Sequence, residues 1–173
     1  MFANLPDQGS QGGYLIFLID CYGKYCLLAW QSRRIRRVVH STLAAECLAA
    51  VDAAEASVYL STCLQELLCV ASQSTSEKNK RPSLIPVSII CDNKSLVDAV
   101  HTTTAVENKR LRISISVLRD MLKNNDIREF RWINTDLQVA NALTKSGCSS
   151  LYLLKILRNR LRFDAESATF IED

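Results

Sequence analysis

The spacing of apolar positions changes several times along the chain, and each change marks an element. Residues 1–13 hold Pro6, Asp7 and a Gly/Gln/Ser run without periodicity, so they read as a loop. Tyr14–Asp20 is a continuous apolar run of strand length. The turn-forming Tyr22-Gly23-Lys24 follows, and then a second such run, Tyr25–Ser32. Two strand-length runs with so short a turn between them predict an antiparallel hairpin. Arg36–His40, with its adjacent valines, is a candidate third strand. From Leu43 to Leu68 the pattern becomes helical. Leu43, Cys47, Ala50, Val51, Ala54, Val58 and Cys63 line one stripe, and Ser41 or Thr42 stands before them as a cap.

Ala71–Ser83 is polar and aperiodic, which predicts a flexible surface loop. Ile85–Cys91 is a β-branched run and predicts a buried strand, after which Asp92-Asn93-Lys94-Ser95 supplies capping residues for a short helix to about His101. Lys109–Asn124 carries Leu111, Ile115, Leu118 and Leu122 on one helical face. Glu129–Asn134 reads as a last short strand, and Asp136–Lys145 as a helix ended by Gly147. Leu151–Phe163 reads as a basic amphipathic helix, with a frayed acidic end at Asp164–Asp173. This order predicts an α/β fold in which helices flank a mixed sheet.

Composition narrows the class. A chain of 173 residues, 48% hydrophobic and 23% charged, holds one domain that needs no disulfide or structural metal. None of the seven cysteines forms a C-x-x-C pair, and His40 and His101 form no H-x-x-x-H pair, so buried free thiols in a reducing compartment are expected. No basic start followed by an apolar core marks a signal peptide, and the longest apolar run, Tyr25–Trp30, is far short of the roughly 20 residues of a membrane helix. The expectation is a soluble chain without a membrane partner, cytoplasmic with the nucleus as second compartment.

The net charge of +3 is too small to argue for a nucleic-acid partner, but the basic residues cluster. Arg33, Arg34, Arg36 and Arg37 flank Ile35; Lys109, Arg110 and Arg112 open one helix; Lys155, Arg158, Arg160 and Arg162 stud another. Such clusters bind phosphate backbones by releasing condensed counterions, although a charge run is more often a solvated face. Trp30 and Trp132 fall in strands and are expected in the core.

Three positions invite site chemistry. Glu46 lies on or beside the apolar stripe of the long helix, where a carboxylate must be paired, bind a cation or sit at the stripe's wet edge. Asp92 stands at the carboxyl end of a predicted buried strand, where open α/β sheets gather ligands, and it is also a good helix N-cap. Asn141 sits in a short helix, where an Asn is by default solvated or bonded back to its own backbone.

Several segments, taken together and in order, resemble the ribonuclease H domains of copia-type retroelement polyproteins. Ala29-Trp30-Gln31-Ser32-Arg33-Arg34-Ile35 and Ser41-Thr42-Leu43-Ala44-Ala45-Glu46 resemble a "W-x-S-[KR]-[KR]…S-T-x-x-A-E" stretch. Cys91-Asp92-Asn93-Lys94-Ser95-Leu96 resembles a "D-N-x-[SA]" strand end, and Lys109-Arg110-Leu111-Arg112-Ile113 resembles a basic segment before the second helix pair. Trp132-Ile133-Asn134-Thr135 through Leu143-Thr144-Lys145 resembles a "V-x-T…Q-x-A-D-x-L-T-K" ending. The resemblance implies a ribonuclease H-like domain over residues 1–145, with a C-terminal helix and tail at 146–173. It also implies cleavage of RNA in RNA–DNA hybrids by two Mg²⁺ or Mn²⁺ ions, and a reverse transcriptase portion as polyprotein partner. By position, Glu46, Asp92 and Asn141 match three of the family's four metal-binding carboxylates, Asn141 in amide form; Arg33, Arg34, Arg36, Lys109, Arg110 and Arg112 are the expected nucleic-acid contacts. The family's first aspartate and its central strand would precede Met1. The resemblance therefore implies impaired cleavage, and an inactive nucleic-acid-binding or protein-interaction module is the alternative.

Overall fold

The computed structural model describes residues 9–36, 39, 41–72, 85–102, 108–145, 150–158 and 160–172, with the side chains of 69–72 excepted. Two strands, β1 (Gln11–Ile19) and β2 (Tyr25–Arg34), form the expected antiparallel hairpin, with a bulge between Ile16 and Phe17. Asp20 closes its turn: Oδ1 accepts hydrogen bonds from the backbone N–H of Tyr22 and Lys24 at 2.8 and 2.9 Å. Gly23 supplies the positive φ of 81° that this turn requires. Arg36 and Val39 join no ladder, and the remainder of the proposed third strand lies outside the described residues.

The long helix α1 spans Thr42–Ser72 and starts on Ser41, whose Oγ accepts from the Ala44 N–H. It therefore takes in the first two residues of the expected loop at 71–83, and the rest of that loop lies outside the described residues. Over Thr42–Leu68 this helix is long and apolar enough to cross a membrane by length and composition alone, a property that a search for continuous apolar runs does not find. One side of it packs on β1, and it also touches β3 (Ser88–Cys91), α2 (Lys94–His101) and α3 (Lys109–Lys123).

Strand β3 pairs in parallel with β4 (Glu129–Trp132), the crossover being made by α2 and α3. Cys47, Leu96, Ile115, Leu118, Ile127 and Phe130 meet in the main core between these elements. The spacing of Leu111, Ile115 and Leu118 puts them on the buried face of α3, as the sequence pattern predicts. A 3₁₀ turn (Thr135–Leu137) and the short α4 (Asn141–Thr144) replace the single helix expected at 136–145.

The fold is mixed α/β, but the strands do not form one sheet. Ladder pairing gives three two-stranded sheets among the described residues: β1–β2, β3–β4 and a C-terminal pair. That third pair corrects two expectations. The basic helix α5 covers only Leu151–Leu157, and the acidic end is not frayed: β5 (Arg162–Asp164) pairs with β6 (Thr169–Ile171). The reason is long-range packing. Phe170 stacks edge-on against Phe17, Tyr25 and Phe163 at centroid distances of 5.2, 4.7 and 5.3 Å, geometry that aromatic quadrupoles favour. Tyr25 Oη also donates to the Ile156 carbonyl at 2.9 Å, which ties α5 to the first hairpin.

The tryptophans correct a third expectation. Trp30 is 65% exposed and Trp132 48% exposed, so neither is a core residue. Trp132 follows the buried Phe130 on the same strand face, at the strand's end.

Five cysteines can be placed. All are free; Cys47 and Cys91 are buried, Cys63 is half-buried, and Cys21 and Cys26 are exposed. Burial pushes the Cys47 and Cys91 thiols up to about 12, so both stay protonated and inert near neutrality. At pH 8, Cys21 and Cys26 should be alkylated within minutes, and Cys47 and Cys91 only after denaturation. Peptide mapping by mass spectrometry checks this, and rapid native labelling of Cys91 would contradict it.

Candidate functional site

Strands β1 and β3 and small residues of α1, Ala49, Ala50, Ala53 and Ser57, line one cleft of about 240 Å³. Glu46, Asp92 and Asn141 all line this cleft. They lie where β1 begins and β3 ends. Glu46 and Asp92 are both close enough to Cys91 for their negative charge to add to the rise of its thiol pKa, after burial as the main cause.

Each residue is placed by identifiable local chemistry. Glu46 lies between the fully buried Ala45 and Cys47 on α1 and is itself half-buried. Asp92 continues β3 by one residue. It does not cap α2: that role belongs to Asn93, whose Oδ1 accepts from the Leu96 N–H at 3.0 Å. The neighbouring amide thus leaves the Asp92 carboxylate to the cleft. Trp132 Nε1 donates to the Asp92 carbonyl at 3.1 Å and joins the ends of the two parallel strands.

Asn141 is buried, not solvated, and opens α4. Its position depends on the first hairpin. Ser32 Oγ donates to the Leu143 carbonyl at 2.7 Å, and Gln11 Nε2 to the same oxygen at 3.3 Å. Gly13 permits this close approach, because a Cβ there would stand 2.8 Å from both the Gln31 carbonyl oxygen and Thr144 Cγ2. Asn141 Nδ2 donates to the Thr135 carbonyl at 2.9 Å and reaches Asp92 Oδ2 at 3.4 Å. Both neighbours are acceptors, so the amide must turn its NH₂ toward Asp92 and its oxygen away.

Lys145 completes the group. Its ammonium stands 3.8 Å from Asp92 Oδ2, with only 13% of the Asp92 side chain exposed. Sequence reasoning did not single out Lys145. The available signal was its spacing of four from Asn141, which puts both residues on one side of a helical turn.

This arrangement does not fit a divalent ion bound by oxygen ligands alone. Mg²⁺ and Mn²⁺ require oxygen donors, whereas Asn141 presents hydrogens and Lys145 brings a positive charge to the same carboxylate oxygen. Among the described residues no group of three or more His, Cys, Asp and Glu gathers to hold a metal. Asp136, near the expected fourth carboxylate in sequence, is exposed and not part of the cleft lining, and Asp7 lies outside the described residues.

The expected nucleic-acid residues fall on two separate elements. Arg33 and Arg34 end β2, with Arg36 just beyond, and all three are exposed; Lys109, Arg110 and Arg112 are exposed at the start of α3. Arg33 is already engaged with Asp52 of α1 at 2.7 Å, and that carboxylate raises its pKa through the hydrogen bond and the charge. No family model, no curated protein and no solved structure matches the chain.

Proposed function

We propose that the chain is a ribonuclease H-like domain of copia-type retroelement descent that binds RNA–DNA hybrids without cutting them. The observation that carries this reading is the grouping of Glu46, Asp92 and Asn141 at one end of the β1–β3 cleft, with the Asn141 amide donating to Asp92. The parallel β3–β4 pair, its helical crossover and a carboxylate at the carboxyl end of β3 support the fold assignment. Arg34 and Arg36 offer charge to phosphates, and the exposed ring of Trp132, hydrogen-bonded to the residue carrying the carboxylate, offers a face for a base or sugar. Cleavage would need divalent ions to stabilise the attacking and leaving oxygens. With the Lys145 ammonium and the Asn141 amide already beside Asp92, that chemistry is lost and binding remains.

The test is an RNA–DNA hybrid duplex titrated with the full chain at several salt concentrations. Affinity should fall steeply with salt, and Arg34→Ala and Arg36→Ala should each reduce the log–log slope by about one. Trp132→Ala should weaken binding by about 1–3 kcal/mol. Cleavage in Mn²⁺ that Glu46→Gln abolishes would overturn the non-cutting half of the reading. Lack of binding at low salt would overturn the nucleic-acid half.

A further inference from the structure

Helix α5 is apolar on two sides. Tyr152, Leu153 and Ile156 follow one arc of it and are buried or half-buried. Leu151, Leu154 and Leu157 follow the opposite arc and are 70%, 41% and 48% exposed. The inner arc alone serves the fold. Ile156 is fully buried in a cluster with Leu161 and Phe170. Tyr152 Oη donates to the Phe170 carbonyl at 3.0 Å, and the Ile156 carbonyl accepts from Tyr25 Oη. A helix held by these bonds presents its outer leucines in a fixed place, where each leaves apolar surface in water.

Cations accompany this apolar face. Arg158 falls in the same outer arc, one turn on from Leu154. Arg160 and Arg162 follow and are exposed. Lys155 is paired with Glu172 at 2.8 Å. Asp164, whose pKa the Ser167 hydrogen bonds lower, has Arg162 as a nearby positive charge. Among the described residues Arg158 and Arg160 join no ion pair, so the surplus charge beside the leucines is positive.

Three kinds of partner differ in what they ask of such a face. A folded protein, a second copy included, needs about 800 Å² from each side. The outer face of α5 belongs to a seven-residue helix, about 10 Å long and about as wide, and is far smaller. A nucleic acid uses the arginines but leaves the leucines against phosphate and water, and the outer arc holds no aromatic ring on which a base could stack. A membrane leaflet uses both, since acyl chains conform to a small apolar face and anionic headgroups meet the cations.

We infer that the outer face of α5, with Arg158 and Arg160, docks on a membrane leaflet that carries anionic phospholipid, the helix lying in the plane of the headgroups. This departs from the expected absence of a membrane partner. A contact in the headgroup plane needs no spanning helix, so the shortness of the apolar runs does not bear on it. The inference rests on α5 and stands apart from the nucleic-acid reading.

The test floats the full chain with vesicles of phosphatidylcholine alone and of phosphatidylcholine with about 30 mol% phosphatidylserine. Co-flotation is expected with the anionic vesicles at low salt, falling as salt rises, and little with the neutral ones. Arg158→Gln and Arg160→Gln should each weaken partitioning about five-fold. Leu151→Gln combined with Leu154→Gln should weaken it about ten-fold or more. Circular dichroism should show an intact fold, because both leucines lie outside the core. On the unaltered chain, a phosphatidylcholine tracer with a diazirine on its acyl chain should label Leu151–Leu157, and this decides the matter should a variant unfold. Four results would overturn the inference. They are no co-flotation with anionic vesicles at low salt, equal co-flotation with neutral ones, acyl labelling confined to other segments, or partitioning unchanged by the leucine substitutions. The last would leave the face to a protein or nucleic-acid partner.

Discussion

Asn141→Asp should lower the stability of the chain in EDTA by about 2–4 kcal/mol, since it leaves the Thr135 carbonyl without its donor and sets a second carboxylate beside a poorly solvated one. The unsubstituted side chain is buried and donates to both Thr135 O and Asp92 Oδ2. The new carboxyl has two acceptors as neighbours, and the Lys145 ammonium stands beside the Asp92 carboxylate. Its folded-state pKa is therefore expected above the unfolded value of about 3.9. For an acid raised in the folded state, the folded chain binds more protons than the unfolded one, so stability falls as pH rises. The charge penalty is absent below the unfolded pKa and complete above the raised folded one. Mn²⁺ at millimolar concentration should recover stability at pH 7 in the variant, because three carboxylates then converge, and should leave the unsubstituted chain unchanged. Thermal unfolding with and without the ion measures this directly. An ion-dependent midpoint in the unsubstituted chain would show that Asp92 is open to metal despite Lys145.

Gly23→Ala should cost about 2–4 kcal/mol, combining the left-handed backbone penalty of a non-glycine residue with a steric conflict. Gly23 holds φ at 81°, and a methyl group there would run into the carbonyl oxygen of Phe163. The same backbone contact carries the Phe163 N–H to Gly23 O hydrogen bond at 2.8 Å, which joins the C-terminal hairpin to the turn of the first. Displacing it loosens the cluster of Phe163, Phe170, Leu161 and Ile156. The expected results are a lower urea midpoint and faster tryptic cutting after Lys155 and Arg158. A change below about 0.5 kcal/mol, the ordinary range for surface substitutions, would mean that the C-terminal segment is not coupled to the domain.

Local pattern was a good guide where one period dominated. The hairpin, the long helix, the face of α3 and the short β3 all follow from spacing, since each buries a simple stripe or run. It was a poor guide where a distant partner decides. Leu154, Leu157 and Leu161 continue a helical spacing past the true end of α5. Aromatic packing on Phe17 and Tyr25 selects a β-hairpin there instead. The tryptophans misled for a related reason, because strand propensity does not say which strand ends are left without cover.

The site was legible residue by residue and not as an arrangement. Glu46 and Asp92 stood out from the stripe and the strand end, yet periodicity could not show that Asn93 takes over the helix cap and leaves Asp92 to the cleft. Nor could it show which side of the Asn141 amide meets Asp92, because that follows from a carbonyl six residues earlier in the chain.

The separation of the strands into pairs also bears on cooperativity. The first hairpin shares an aromatic core with the C-terminal segment, while β3 and β4 share another with α2 and α3. Among the described residues no ladder crosses between the two pairs, and α1 and α4 are the main bridges. The chain is thus built as two foldons on a common helix, each able to open without the other. Hydrogen exchange should then give the two cores separate local opening free energies, both below that of global unfolding.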